Sequence, residues 1–205
     1  MRSRLTRNWA IGQLSCLLIA FGLLFLRPAW GQEPVARHLL SFPERQNQYV
    51  HVTLEMPVKG DVVELAMPSW TPGSYVIRDF AAQLERIQAV DSNGHPVEIQ
   101  KIAKNRWRIL TGGSSRLTID YDIWAGELHV SSSWVESGFA LINGAGVFLY
   151  SDDSLEWPQQ VELALPTDWR KAFTALPPHE STNQFLAGNY DELIDSPIVA
   201  GNAKD

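Results

Sequence analysis

Apolar and polar residues alternate with a period of two along most of this chain, the pattern of strands that bury one face. Over residues 49–56, Val50, Val52, Leu54 and Met56 alternate with Tyr49, His51, Thr53 and Glu55. Over residues 116–125, Leu117, Ile119, Tyr121 and Ile123 alternate with Thr118, Asp120, Asp122 and Trp124. Shorter runs predict strands at 35–42, 61–67, 84–91, 97–102, 106–110 and 161–165. Lys59-Gly60, Asn93-Gly94 and Gly112-Gly113 stand between them, where hairpin turns need a positive φ. No long amphipathic helix is present; a short one is expected at 79–83. Many short, closely spaced strands predict an all-β fold, an antiparallel double-sheet sandwich or saddle. With no repeat or low-complexity linker after the first residues, 34–201 reads as one domain.

The first 31 residues follow a different pattern. Arg2, Arg4 and Arg7 precede an apolar run from Leu14 to Leu26, and Ala29-Trp30-Gly31 places small residues before Gln32. That is the order of a cleavable secretory signal, and the run is shorter than the roughly 18–20 residues needed to span a bilayer. The expected destination is periplasmic or extracellular, with no stable membrane anchor after cleavage. Cleavage changes the charge. It removes four of the 17 basic residues and none of the 23 acidic ones, taking the formal charge from −6 to −10. An acidic balance argues against nucleic acid as a partner. The single cysteine, Cys16, leaves with the signal, so no disulfide is expected in the remainder. The 45% hydrophobic and 20% charged composition of the whole chain is that of a globular protein that needs none.

Candidate chemistry within the chain is sparse. His38, His51, His95, His129 and His179 are too far apart in sequence for the i, i+4 pairing that sets two imidazoles on one metal, so no metal site is expected. There is no Gly-x-Ser-x-Gly elbow, and Ser74 and Ser131-Ser132-Ser133 read as turn serines. Asp120 and Asp122 are expected on one solvated strand face, and Lys104, Arg106 and Arg108 as a solvated basic strip. Six tryptophans, Trp70, Trp107, Trp124, Trp134, Trp157 and Trp169, would fill a core, form an interface or stack on sugars.

Five segments in register carry a resemblance. Trp70-Thr71-Pro72-Gly73-Ser74-Tyr75, Lys104-Asn105-Arg106-Trp107, Tyr121-Asp122-Ile123-Trp124-Ala125-Gly126-Glu127-Leu128, the run from Phe139 to Tyr150 and Asn189-Tyr190-Asp191-Glu192-Leu193-Ile194-Asp195-Ser196-Pro197 resemble the amino-terminal domain of M61 (glycyl aminopeptidase-like) zinc metallopeptidases. The departure is a longer spacer between Phe139 and Asn143. The resemblance implies a β domain similar to that of M1 and M61 aminopeptidases, packed on a catalytic domain whose His-Glu-x-x-His helix carries zinc. That helix is not in this sequence, so zinc is expected only in a separate catalytic domain, with 202–205 the truncated entry to it. The chain alone is then expected to be non-catalytic, with partners in an M61-like catalytic domain, in cis or in trans, and in peptide amino termini. By position, Asn143 and Gly144 are the candidate substrate contact, against the simpler reading of a tight Asn-Gly turn. Trp70, Tyr75, Arg78 and Phe80 are the candidate seam to the catalytic domain, against a cleft wall or an ordinary corner. The alternative function is a stand-alone periplasmic module binding peptide or glycan.

Overall fold

The computed structural model describes residues 34–128 and 131–202; the signal at 1–31, His129 and residues 203–205 lie outside them. Residues Pro34–Asp205 form one compact unit. Its strands are β1 (Ala36–Ser41), β2 (Tyr49–Pro57), β3 (Val62–Ala66), β4 (Leu84–Asp91), β5 (Ile99–Ala103), β6 (Arg106–Leu110), β7 (Arg116–Trp124), β8 (Trp134–Glu136), β9 (Phe139–Ile142), β10 (Gln159–Ala164), β11 (Lys171–Phe173), β12 (Gln184–Ala187) and β13 (Ile198–Gly201). One α-helix, α1 (Tyr190–Ile194), and four 3-10 turns, at Arg45–Asn47, Phe80–Gln83, Gly144–Gly146 and Asp152–Ser154, complete the described fold. The architecture is all-β. It is distributed over three sheets, ordered β12-β10-β1-β2-β7-β4, β11-β13-β9-β8 and β3-β6-β5. All named pairs are antiparallel except β1 with β10, which run parallel from Ala36 opposite Gln159 to Ser41 opposite Ala164. β13 lies inside the four-stranded sheet, paired with both β9 and β11.

The alternation seen in the sequence becomes the sheet's two faces. Every second residue of β2 from Val50 to Met56 and of β7 from Leu117 to Ile123 is buried. Leu65 and Trp107 of the three-stranded sheet, and Ile142 and Ile198 of the four-stranded one, join the same core. One apolar interior therefore serves all three sheets. Two backbone joints and two tyrosine hydroxyls hold them in place. Ala66 and Tyr150 exchange both amide hydrogen bonds, at 2.7 and 3.0 Å. The Val135 amide donates to the Ala125 carbonyl at 2.8 Å, tying the end of β7 to β8. Two buried tyrosines reach the segment between the sheets: Tyr121 Oη donates to the Val147 carbonyl (2.9 Å) and Tyr190 Oη to the Phe148 carbonyl (2.7 Å).

The polar face of the large sheet is less open than the sequence suggests. Asp122 is 9% exposed. One of its oxygens accepts from His51 Nδ1 at 2.9 Å and the other from Arg86 Nε at 2.5 Å, while Asp120 accepts from Thr53 Oγ1. Arg86 has a φ of +52° beside the register shift between Glu85 and Gln88, and that bulge aims its guanidinium back across the sheet. The expectation of solvated aspartates is therefore corrected. Facing strands place cation and anion opposite one another, and the pairing covers Asp122 while Arg86 and Asp120 stay partly exposed. The basic strip stays on the surface as expected: Lys104, Arg106 and Arg108 keep much of their side chains in solvent and sit 3.6, 3.5 and 2.8 Å from Asp79, Asp152 and Glu64.

Candidate functional site

The segment that stands out in the sequence folds as a self-contained loop. Its neck is closed by the Arg78 amide donating to the Ser69 carbonyl at 2.7 Å. Inside it, Trp70 Nε1 donates to the Ser74 carbonyl (2.8 Å) and Ser74 Oγ to the Val76 carbonyl (2.9 Å). Pro72 and Gly73 form its tip, with Gly73 at φ +86°, a value only glycine adopts without strain. With its polar groups satisfied internally, the loop turns its apolar groups outward. Trp70 is 49% exposed and Ile77 79%, with Tyr75 and Val76 exposed beside them. The result is a run of exposed apolar side chains on a hydrogen-bonded loop. Of the proposed seam residues, Trp70 and Tyr75 are open to solvent. Arg78 is half-buried, and Phe80 packs partly buried against the core.

Phe80 links this loop to the second candidate. Its ring lies under the 3-10 turn Gly144–Gly146, within 3.4 Å of where a Cβ on Gly146 would stand. The backbone N–H of Asn143, just before that turn, donates to Ser133 Oγ at 2.9 Å. Gly144 is buried against α1, and a Cβ there would lie 2.8 Å from Ile194 Cα and 3.1 Å from the Leu193 carbonyl. Asn143-Gly144 is thus not a hairpin turn between strands. Gly144 is required by the close approach of α1. That helix is short but well capped: Asn189 Oδ1 accepts from the Glu192 amide at 2.9 Å, and the Glu192 carboxylate accepts from the Gly188 amide at 2.6 Å. Because the clash is with backbone, Gly144→Ala is expected to cost about 2 kcal/mol. Gly146→Ala meets only the edge of a side chain and should cost well under half of that. Urea unfolding of the two variants, compared with the parent chain, checks the contrast; equal costs would remove the close-packing argument.

Between the loop, the end of β7 and the serines lies a cavity of about 190 Å³. Arg78, Phe80, Gln83, Trp124, Glu127 and Ser133 are among its lining residues. The sequence pointed to Arg78 and Phe80 but not to the cavity. Gln83, Trp124 and Ser133 come from distant segments, and only the fold brings them together. Elsewhere, the described residues contain no group of three His, Cys, Asp or Glu side chains able to hold a metal ion. They do not fit a zinc site, and no step through zinc is derived from them.

His38 was expected nowhere in particular and is the most perturbed histidine. It is buried in β1, with Phe148 edge-on at 4.9 Å. Gln159 Nε2 donates to the Ser154 and Trp157 carbonyls, both at 3.0 Å, which leaves Gln159 Oε1 to accept from His38 Nε2 at 3.0 Å. That arrangement assigns the ring proton to Nε2 and leaves Nδ1 buried without a partner. Burial then lowers the His38 pKa to about 4.

Comparison with known proteins gives a consistent result. The peptidase M61 N-terminal domain model matches residues 38–202. Among solved structures, the chain is similar to an aminopeptidase N family protein from Idiomarina loihiensis, at 28% identity and a TM-score of 0.76, over 82% of this chain and 29% of that one. This chain therefore spans less than a third of that protein. An M1 zinc metallopeptidase from Deinococcus radiodurans, in a mutant form bound to a Tyr-Ser-Ala substrate, aligns at 11% identity and a TM-score of 0.47, over 82% of this chain and 42% of that one. Among curated proteins none matches.

Proposed function

The chain belongs to the peptidase M61 N-terminal domain family, and from that premise we propose that it is the non-catalytic, substrate-side domain of an exported metalloaminopeptidase. In this reading zinc and its general base come from a separate catalytic domain, in cis or in trans. This domain contributes the surface on which the catalytic part seats and one wall of the peptide cleft. The observation that carries the reading is the loop 70–77, which is tied by its own hydrogen bonds and still offers Trp70, Tyr75 and Ile77 to solvent. Exposed aromatic and aliphatic groups on an ordered loop supply interface area at little entropic cost. Asn143, at the start of the 3-10 turn Gly144–Gly146, is the residue proposed to meet a peptide amino terminus. Export rests on the signal-like pattern of residues 1–31.

Association with a purified M61 catalytic domain tests the proposal. The chain is expected to form a one-to-one complex on analytical ultracentrifugation and to release no amino-terminal residue from a peptide when alone. Replacing Trp70, Tyr75 and Ile77 together by serine is expected to weaken the complex by about 100-fold, since buried aromatic anchors dominate such interfaces. The melting temperature should stay within about 2 °C, because these side chains contribute little to the domain's own core. No complex, or a triple variant that binds as tightly as the parent, would overturn the assignment.

A further inference from the structure

We propose that the cavity beside the loop 70–77 binds the carboxy-terminal carboxylate of a short peptide, with the Arg78 guanidinium as its anchor. The argument starts from an unmet hydrogen bond. Arg78 Nε is buried and has no partner among the described residues, and Arg78 lines the cavity. An enclosed donor left unpaired is costly even on a half-buried side chain, and a partner seated in the cavity that Arg78 lines would satisfy it. A carboxylate satisfies a guanidinium by charge-assisted hydrogen bonds.

A second donor faces the same space. Ser133 is only 7% exposed, and its Oγ accepts the Asn143 amide. A hydroxyl that accepts from the backbone keeps its own proton to give. Phe80, Ile123 and Trp124 supply apolar wall for the aliphatic part of a terminal residue. The volume of about 190 Å³ is below that of pockets for large ligands, so the cavity suits one small residue or two. Asp79 and Glu127 also line it. Their negative charge works against any anion, and about twice as strongly against a phosphate dianion as against a single carboxylate. Asp79 is itself 3.6 Å from Lys104, which offsets part of its charge.

The peptide class rests on the substrate-side reading given above, but the test is separate from the docking test. The 205-residue chain, labelled with nitrogen-15, is titrated with trialanine, trialanine amide, acetate and the amide of Ala-Asp-Ala. Trialanine is expected to bind saturably and to move the Arg78 Nε–H resonance. Its amide, acetate and the aspartyl amide are each expected to bind at least about tenfold more weakly, the loss of one charge-assisted bond or of the apolar wall. Arg78→Gln is expected to abolish the response and Arg78→Lys to retain part of it. Equal binding of acid and amide, no saturable binding, or an unchanged Arg78→Gln variant would overturn the proposal. Equal binding of the aspartyl amide would also do so, by showing a site for an acidic side chain. The acid–amide comparison needs no variant, so it stands even if Arg78→Gln fails to fold. Loss of peptide binding with the catalytic complex intact would remove only this site; the reverse would remove only the partner.

Discussion

Tyr121→Ala is expected to destabilise the domain by about 4–5 kcal/mol, the largest effect of any single truncation considered. Tyr121 is fully buried in β7 and its ring sits in the common interior of the three sheets. Its hydroxyl does two things at once. It donates to the Val147 carbonyl at 2.9 Å and accepts from the Leu149 amide at 3.3 Å. Burial raises the phenol's pKa, so the group remains a neutral donor at all working pH values. Truncation would open a cavity and leave two backbone groups unpaired. Tyr121→Phe separates those costs, since it keeps the ring and removes only the hydroxyl; about 2 kcal/mol is expected. A domain has about 5–15 kcal/mol in total, so the alanine variant should be close to the edge of folding. Equilibrium urea unfolding followed by circular dichroism measures both. If the phenylalanine variant costs less than about 0.5 kcal/mol, the hydroxyl is not the tie between β7 and the 147–149 segment.

Acid is expected to weaken this domain through one residue more than any other. His38 is neutral in the fold with its pKa lowered to about 4, against 6.5 for a free histidine, and desolvation by burial is the cause. Between those two values the unfolded chain takes up a proton and the folded chain does not. The stability that depends on a neutral His38 is thus whole above pH 6.5, and falls as the pH drops towards 4. The shift corresponds to about 3 kcal/mol. In structural terms, the incoming proton must sit on Nδ1, which has no acceptor and is enclosed by the interior. His38→Asn should flatten this part of the profile while keeping a donor for Gln159. Unfolding free energies of both proteins at pH 7.5 and pH 4.5 decide the matter. Parallel losses in parent and variant would show that other groups carry the acid sensitivity.

What could be read from the chain follows from the length of each element. β2 and β7 are nine residues each, long enough for alternation to show face and register. β4 and β6 were placed at their observed bounds, and the expected helix at 79–83 is the 3-10 turn Phe80–Gln83. Gly60, Gly94 and Gly113 take the positive φ their turns predicted. β8, β9, β11, β12 and β13 went unseen because strands of three or four residues are too short for periodicity to register. Their state is set by the partner across the ladder, not by their own sequence. The parallel pairing of β1 and β10, which joins β10 and β12 to the six-stranded sheet, likewise depends on a distant partner. The site divides the same way. The loop from Trp70 to Phe80 announced itself, since Trp, Pro-Gly and Tyr in succession are unusual. The cavity behind it did not, because Ser133 and Trp124 reach Arg78's surroundings only after the sheets have closed. His38 shows the limit most plainly: an ordinary apolar-strand histidine in sequence becomes a buried base once Gln159, 121 residues away, turns its oxygen towards it.

The parallel seam between β1 and β10 also sets a clock. The first strand of the fold has one edge satisfied early, by β2, a few residues downstream, but its other edge waits for a segment that begins at Gln159. During synthesis from the amino end, the large sheet therefore stands with an open flank until most of the chain has been made. Contacts so distant in sequence close slowly, and an unpaired strand edge is a surface other chains can join. The period of greatest vulnerability falls before the fold is complete, while Ala36 to Ser41 lacks its second neighbour. A nascent chain of this kind has reason to be held apart from its copies until the segment from Gln159 arrives.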